Sequence, residues 1–270
     1  MIKIEGKKFD WFGLTQILKE HKGKLRQIRM LSVNELKKKY KGAALGPLWA
    51  LIKPTFTLFI LWFAFEIGLK RNGGVHFING KYTQFVFMLT GYVPWFYISE
   101  CIVGGSRSIR SNKQFVTKLS FPVSNIMTFT SLSGLYIHIL LCAIMYVVLL
   151  CLGFGPSIYN LQFIYYALMM YFFFLVLSWM TAPLSAFSKD FENLINSVIT
   201  GLFWLSGIFW NTYDISPLWL RKLMYFNPIN YFVNGYRKSF LTDTFIFDSN
   251  YTTETIGSSG RYFLTFCNKG

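Results

Sequence analysis

Long apolar stretches separated by brief polar connections dominate the chain between residues 45 and 210. From Ser120 to Ser188 there is no Asp, Glu, Lys or Arg, and His138 is the only titratable side chain there besides tyrosine and cysteine. A helix needs about 20 apolar residues to cross a hydrocarbon layer roughly 30 Å thick. That block therefore holds two crossings, turned around at Gly153–Pro156. The run YFFFLVL from Tyr171 to Leu177 has no polar position at a 3.6-residue period, as the outer face of a soluble helix would require. The pattern predicts an all-α polytopic membrane bundle with spans near 45–69, 82–103, 123–152, 158–187 and 193–210. The fifth is only just long enough.

The polar connections differ in character. Lys53 and Pro54 stand near the inner end of the first span, where a lysine can snorkel, and Glu66 near its outer end. Residues 70–81 form an outer connection. Pro94 predicts a kink in the second span, with Glu100 close to the cytoplasm. Residues 104–121 read as a basic loop carrying Arg107, Arg110, Lys113 and Lys118, made amphipathic by Ile109, Phe115, Val116 and Leu119. A short inner turn at 188–192 precedes the fifth span. Beyond it, 217–226 and 229–236 are amphipathic, too short to cross and broken apart by Asn227 and Pro228. They predict a re-entrant or interfacial helical hairpin within 211–241, on the outer side, with Arg221, Lys222, Arg237 and Lys238 outside. A soluble outer loop is the plainer alternative. Residues 242–270 contain no stretch able to cross, so five crossings leave the C-terminus outside.

Residues 1–44 form a basic preamble. Asp10 can cap a short helix with Trp11, Leu14, Ile17 and Leu18 on one side. Ser32 and Glu35 have the spacing of a capping box, which predicts a helix start there. Val33, Leu36 and Tyr40 would share a face while Lys37, Lys38, Lys39 and Lys41 project elsewhere. Such a helix lies in the headgroup layer, unless it is simply a solvated charged helix. Residues 1–10 contain no apolar core of a signal peptide, so the N-terminus is expected to stay in the cytoplasm.

Composition supports the membrane reading and changes the meaning of the charge. Apolar residues make up 53% and charged residues 14%, against about a quarter charged in soluble domains. A net charge of +15 would suggest nucleic acid in a soluble protein. Here 13 of the 27 Lys and Arg fall within residues 1–53, which is the positive-inside pattern of a multi-pass cytoplasmic-membrane protein. No nucleic-acid motif accompanies them. Cys101, Cys142 and Cys151 lie in or beside spans and Cys267 is alone in the tail, a spacing that suits neither disulfides nor zinc.

Catalytic chemistry is thin. Gly74 to Lys81 has the wrong glycine spacing for a phosphate loop, and Tyr82 stands where Ser or Thr is needed. No histidine has a metal partner at helical spacing, so no metal is expected. Asp190 and Glu192, two apart, face different ways on a helix and are expected to pair with Lys189 or Lys118. His138 is a functional candidate as a mid-span ionisable group, although a packed neutral histidine is the commoner outcome. Aromatics make up 20% of the chain. Trp62, Phe63, Phe87, Tyr92 and Trp95 are candidates to line a conduit whose flat walls suit sugar rings, with lipid contact or packing as the alternative for each.

One run carries a family likeness. YKGAALGPLWALIKP, from Tyr40 to Pro54, resembles the R-Y-K-x-S-x-L-G-x-x-W-x-x-x-x-P approach to the first span of ABC type-2 polysaccharide-export permeases. Lys189 and Asp190, the stretch Tyr225–Tyr231, and Tyr236 with Arg237 are similar to later marks of that family. EIGLKRN, from Glu66 to Asn72, is similar to wall teichoic acid exporter permeases in particular. The resemblance implies a permease without its own ATPase and without a cofactor, working as a homodimer on two copies of an ABC ATPase that binds ATP and Mg. It further implies a lipid-pyrophosphate-linked polymer as substrate, and membrane lipid rather than nucleic acid as surroundings. The coupling segment would be Arg107, Ile109, Arg110, Lys113, Phe115 and Lys118, completed by the interface helix at Lys37–Lys41. The outer gate would be Trp219, Arg221, Tyr225, Asn227, Pro228 and Tyr231. The family has a sixth span that this sequence does not show. An exporter of drugs or small lipids, a membrane phospho-sugar transferase and a scaffold are the other readings.

Overall fold

The computed structural model describes residues 14–69, 74–78, 80–117 and 121–245; Asp10, Trp11, Lys118 and the tail from 246 lie outside them. The described chain is an all-α membrane helix bundle. It opens with α1 (Leu14–His21) and α2 (Leu25–Lys39), then α3 (Trp49–Trp62), which continues as a π-helix over Phe63–Gly68. A small hairpin follows, β1 (Val75–Phe77) antiparallel to β2 (Gly80–Tyr82). Then come α4 (Gln84–Ser111), α5 (Lys113–Thr117), α6 (Val123–Cys151), α7 (Gln162–Phe187), α8 (Lys189–Leu205), α9 (Leu218–Phe226) and α10 (Pro228–Leu241).

Among the described residues, four stretches are long and apolar enough to cross a membrane: Gly46–Gly68, Gln84–Ser111, Val123–Cys151 and Ile158–Phe187. They coincide with the first four predicted spans, with one difference. Helix α4 starts at a cap, Thr83 Oγ1 accepting from Val86 N, and runs unbroken to Ser111 with Pro94 in its interior. It takes in Arg107, Ile109 and Arg110, so these three are helical rather than part of a loop. The fifth predicted span is α8, which has 17 residues and lies at 189–205 rather than 193–210. At 1.5 Å per residue it is about 26 Å long, with Ser188 as its N-cap and Asp190 and Glu192 favourably placed in its first turn. It ends because Gly207 turns the backbone into the left-handed region at φ 65.

Helix α4 is the axle. Of its apolar stretch 72% is buried, against 22% for the first span. Its contacts with α6 and α7 use small side chains: Ser178 Oγ donates to Phe174 O at 2.8 Å and Cys101 O at 3.2 Å, and Cys101 Sγ meets Ser131 Oγ at 3.2 Å. Small residues let membrane helices approach closely and bond across the gap. The outward faces of α3, α6 and α7 are apolar and exposed, including Phe56, Phe59, Ile139, Val147, Phe172 and Met180. In a membrane that is the face lipid covers.

The capping-box expectation at Ser32 is corrected. Helix α2 already starts at Leu25, and Ser32 is buried inside it, donating to Arg29 O at 2.8 Å and lying 3.4 Å from Tyr136 Oη of α6. Ile28, Leu31, Ser32 and Leu36 recur at helical spacing and seat α2 on the bundle, whereas Val33 is exposed. Arg26 and Arg29, interleaved in that stripe, hide it from a reading of local hydropathy.

Candidate functional site

The two ends of the bundle carry different chemistry. At one end α2, the last turns of α4, α5 and the start of α8 meet. Phe115 of α5 packs on Phe121 and Phe129, with ring centroids 5.6 and 5.7 Å away. Together with Ile109 and Leu31 it covers an apolar cluster of Ile28, Ile126 and Met127. Two segments far apart in sequence, residues 28–31 and 109–115, thus share one small core.

Polar bonds fasten the same corner. Lys39 pairs with Glu100, and Lys38 Nζ donates to Asn112 Oδ1 at 3.2 Å. Tyr40 closes α2, and its hydroxyl is pushed up to about 12 by burial first and then by the charge of Glu100. Lys37, Lys41 and Lys113 remain exposed. The partner expected for Glu192 is corrected: it binds Arg107 Nε at 2.6 Å and Arg110 Nη1 at 3.1 Å, not Lys189. Arg110 also donates to Ser185 O. The reason is geometric, since Ser188 starts α8 early enough to turn Glu192 toward α4. A carboxylate taken by two guanidinium groups is a charge-assisted strut and is poorly suited to acting as a base.

At the other end α9 and α10 form the predicted hairpin, and α10 is inserted into the bundle. Asn227 caps α10, accepting from Ile229 N at 3.0 Å and donating to Ser206 Oγ at 3.2 Å, while Pro228 fills the first helical position. Phe232 packs on Phe173 and Phe174, midway along α7. Arg221 folds onto Ile215 O through Nε at 3.0 Å and Nη2 at 2.8 Å. Tyr225 lies against Tyr213, and Tyr231 against Tyr166. Trp219 is 70% exposed at the tip.

The conduit candidates do not gather on one wall. Phe87, Tyr92 and Trp95 are buried on α4 within this single chain, and Trp95 and Tyr92 pack on Phe203 of α8. Trp62 bonds to Glu66 and meets Phe85 edge-on, while Phe63, at the start of the π-helix after α3, is half exposed. His138 shares a hydrogen bond with Tyr236 of α10.

Arg237 is expected outside with Lys238, yet it is the largest fully buried side chain described. Its Nη1 donates to Gly207 O at 2.7 Å and its Nη2 to Ile208 O at 2.8 Å. Nε and Nη2 share Phe87 O at 3.2 and 3.1 Å, and the guanidinium lies 3.5 Å from the Phe87 ring centre. The signals in the sequence were its place nine residues beyond Pro228, in an amphipathic helix, and the likeness of Tyr236 with Arg237 to a mark of the family. Beside the hairpin, Val75, His76, Trp210, Asn211 and Asp214 line a cleft of about 270 Å³. Among the described residues no three His, Cys, Asp or Glu side chains come together as a metal site would need.

With this geometry in view, the comparisons fall on both ends at once. The profile of the ABC-2 type transporter family matches residues 26–241, from α2 to the end of α10. An O-antigen export system permease protein RfbA of Myxococcus xanthus is 25% identical over 207 residues, covering 76% of each chain. Two proteins of the same name from Klebsiella pneumoniae are each 26% identical. One aligns over 225 residues, 80% of each chain, and the other over 220, covering 78% of this chain and 79% of its own.

Proposed function

This chain belongs to the ABC-2 type transporter family, and on that footing we propose that it is the membrane subunit of an ATP-driven exporter of a lipid-linked cell-envelope polysaccharide. The observation that carries the reading is the match to O-antigen export permeases over about three quarters of the chain or more. The sequence has no phosphate-cradling loop of the G-x-x-x-x-G-K-S/T kind. ATP and Mg therefore belong to a separate ABC ATPase, two copies of which would serve a homodimer of this chain.

The corner built from Lys37–Lys41, Arg107, Arg110, Lys113 and Phe115 is the docking face for that ATPase, on the cytoplasmic side of the plasma membrane together with the N-terminus. Its shared core makes α2 and α5 move together, so a push on α5 reaches α4 directly. The α9–α10 hairpin is the outer gate. Half-exposed Phe63, just past α3, and partly buried Trp62 beside it would line a conduit between two copies, while Phe87, Tyr92 and Trp95 stiffen α4. The substrate is a polymer on a lipid pyrophosphate. Wall teichoic acid is the finer assignment, from the likeness of residues 66–72. A phospho-sugar transferase is disfavoured because Glu192 is already occupied by two arginines.

The test is reconstitution with the ATPase encoded beside this chain, in vesicles holding lipid-linked polymer. ATP-dependent appearance of polymer on the far side is expected. Nucleotide hydrolysis or phospho-sugar transfer by this chain alone would overturn the reading.

A further inference from the structure

Arg237 uses every N–H it has. Four of the five bonds run to the backbone carbonyls of Phe87, Gly207 and Ile208, and the fifth runs to Asn234 Oδ1 at 3.1 Å. It belongs to no ion pair among the described residues. An apolar side chain would fill the space with far less desolvation, so a buried cation inside a membrane bundle invites a functional explanation.

The seat is built for the guanidinium. A Cβ at Gly91 would collide with Arg237 Nη2, so the glycine supplies the notch. Gly207 adopts φ 65, a conformation that L side chains rarely take, and a Cβ there would strike Thr212 and Asn230. This turn presents two successive carbonyls, of Gly207 and Ile208, to one cation.

A polar relay ties the seat to the rest of the hairpin. Asn234 Nδ2 donates to Asn230 Oδ1 at 3.1 Å and to Thr212 Oγ1 at 3.3 Å, and Asn230 Nδ2 donates to Met224 O of α9 at 3.1 Å. Arg237 thereby joins three bodies: α4, the 206–212 turn after α8, and α9–α10.

Resting on the reading of α9–α10 as the outer gate, we propose that Arg237 is the positioning residue that latches this hairpin shut, and that opening the conduit lifts it off Phe87, Gly207 and Ile208 together. Because one planar fork makes all these bonds, partial release gains little and the hairpin has two discrete states. The relay through Asn234 and Asn230 makes α9 follow α10.

The experiment uses the complex with its ATPase in vesicles loaded with carboxyfluorescein, with dye leak measured without ATP or polymer. Arg237→Met should raise leak about tenfold, since losing charge-assisted bonds shifts a two-state gate by at least that factor. Arg237→Lys, which keeps the charge but not the fork, should fall between Arg237→Met and the native chain. Ser178→Ala, which weakens the α4–α7 contact away from the seat, should stay tight. An Arg237→Met complex as tight as the native one, or equal leak from Ser178→Ala, overturns the latch. If Arg237→Met does not fold, Asn234→Ala removes the only side-chain acceptor of Arg237 among the described residues. It should leak severalfold more, and a tight Asn234→Ala complex overturns the proposal. A native complex that seals but moves no polymer would remove the proposed substrate and leave this comparison standing.

Discussion

His138 of α6 and Tyr236 of α10 meet with 2.6 Å between Nε2 and Oη, both wholly buried. Tyr97 of α4 packs at a tilt against the same imidazole, with 5.2 Å between ring centroids. Tyr236 thus pins α10 to α6 while the next residue, Arg237, pins it to α4. A short helix held on two sides by adjacent residues has a defined depth in the bundle.

Removing the tyrosine hydroxyl tests that pin. Tyr236→Phe should destabilise the protein by about 1–2 kcal/mol, the usual range for a buried bond whose partner is left unsatisfied. Thermal unfolding in detergent measures it. A variant as stable as the native chain would mean that the contact is not made.

Glu192 should be more sensitive than its surface position suggests. Its side chain is 15% exposed, while Arg107 and Arg110 are 44% and 38% exposed, so screening discounts their share. Glu192→Ala is expected to cost about 1–2 kcal/mol. Arg110→Glu should be worse, and Arg110→Glu with Glu192→Arg should recover part of the loss. A double-mutant cycle with no coupling energy would refute the strut.

The Lys39–Glu100 pair gives the opposite expectation. With side chains 40% and 34% exposed, it should contribute about 0–1 kcal/mol and fade in high salt. Glu100→Gln should therefore change unfolding little at any ionic strength. A large loss would show that this corner is drier than its exposure indicates.

Phe115 tests the proposed docking face. A cysteine in its place should crosslink to the partner ATPase during turnover, and Lys113→Glu should weaken assembly without changing the fold. Absence of any adduct, with the complex otherwise intact, would move the docking face elsewhere.

Asn227 tests the break between α9 and α10. Asn227→Ala removes an N-cap and the bond to Ser206, so a loss of about 1 kcal/mol is expected. Asn227→Asp, which can still cap, should lose less.

The membrane-crossing stretches were legible because thirty residues without charge, from Ile158 to Phe187, admit one environment and one regular structure. The hairpin break was legible from Asn227 and Pro228, whose local preferences survive folding. The true start of α2 was not, because basic residues interrupt its buried stripe. The β1–β2 hairpin was also missed; Phe77 is buried there against Phe87, a contact that a three-residue strand does not announce.

By itself the sequence determined the medium, the places of the four long apolar stretches and the uneven placing of positive charge. These follow from hydration costs paid residue by residue along the chain. Tertiary structure decided which groups meet: Glu192 with Arg107, α2 with α6, Arg237 with the carbonyl of Phe87. Periodicity records that a position is buried, but a partner 150 residues away is chosen only when helices pack and a buried cation finds carbonyls in place of water.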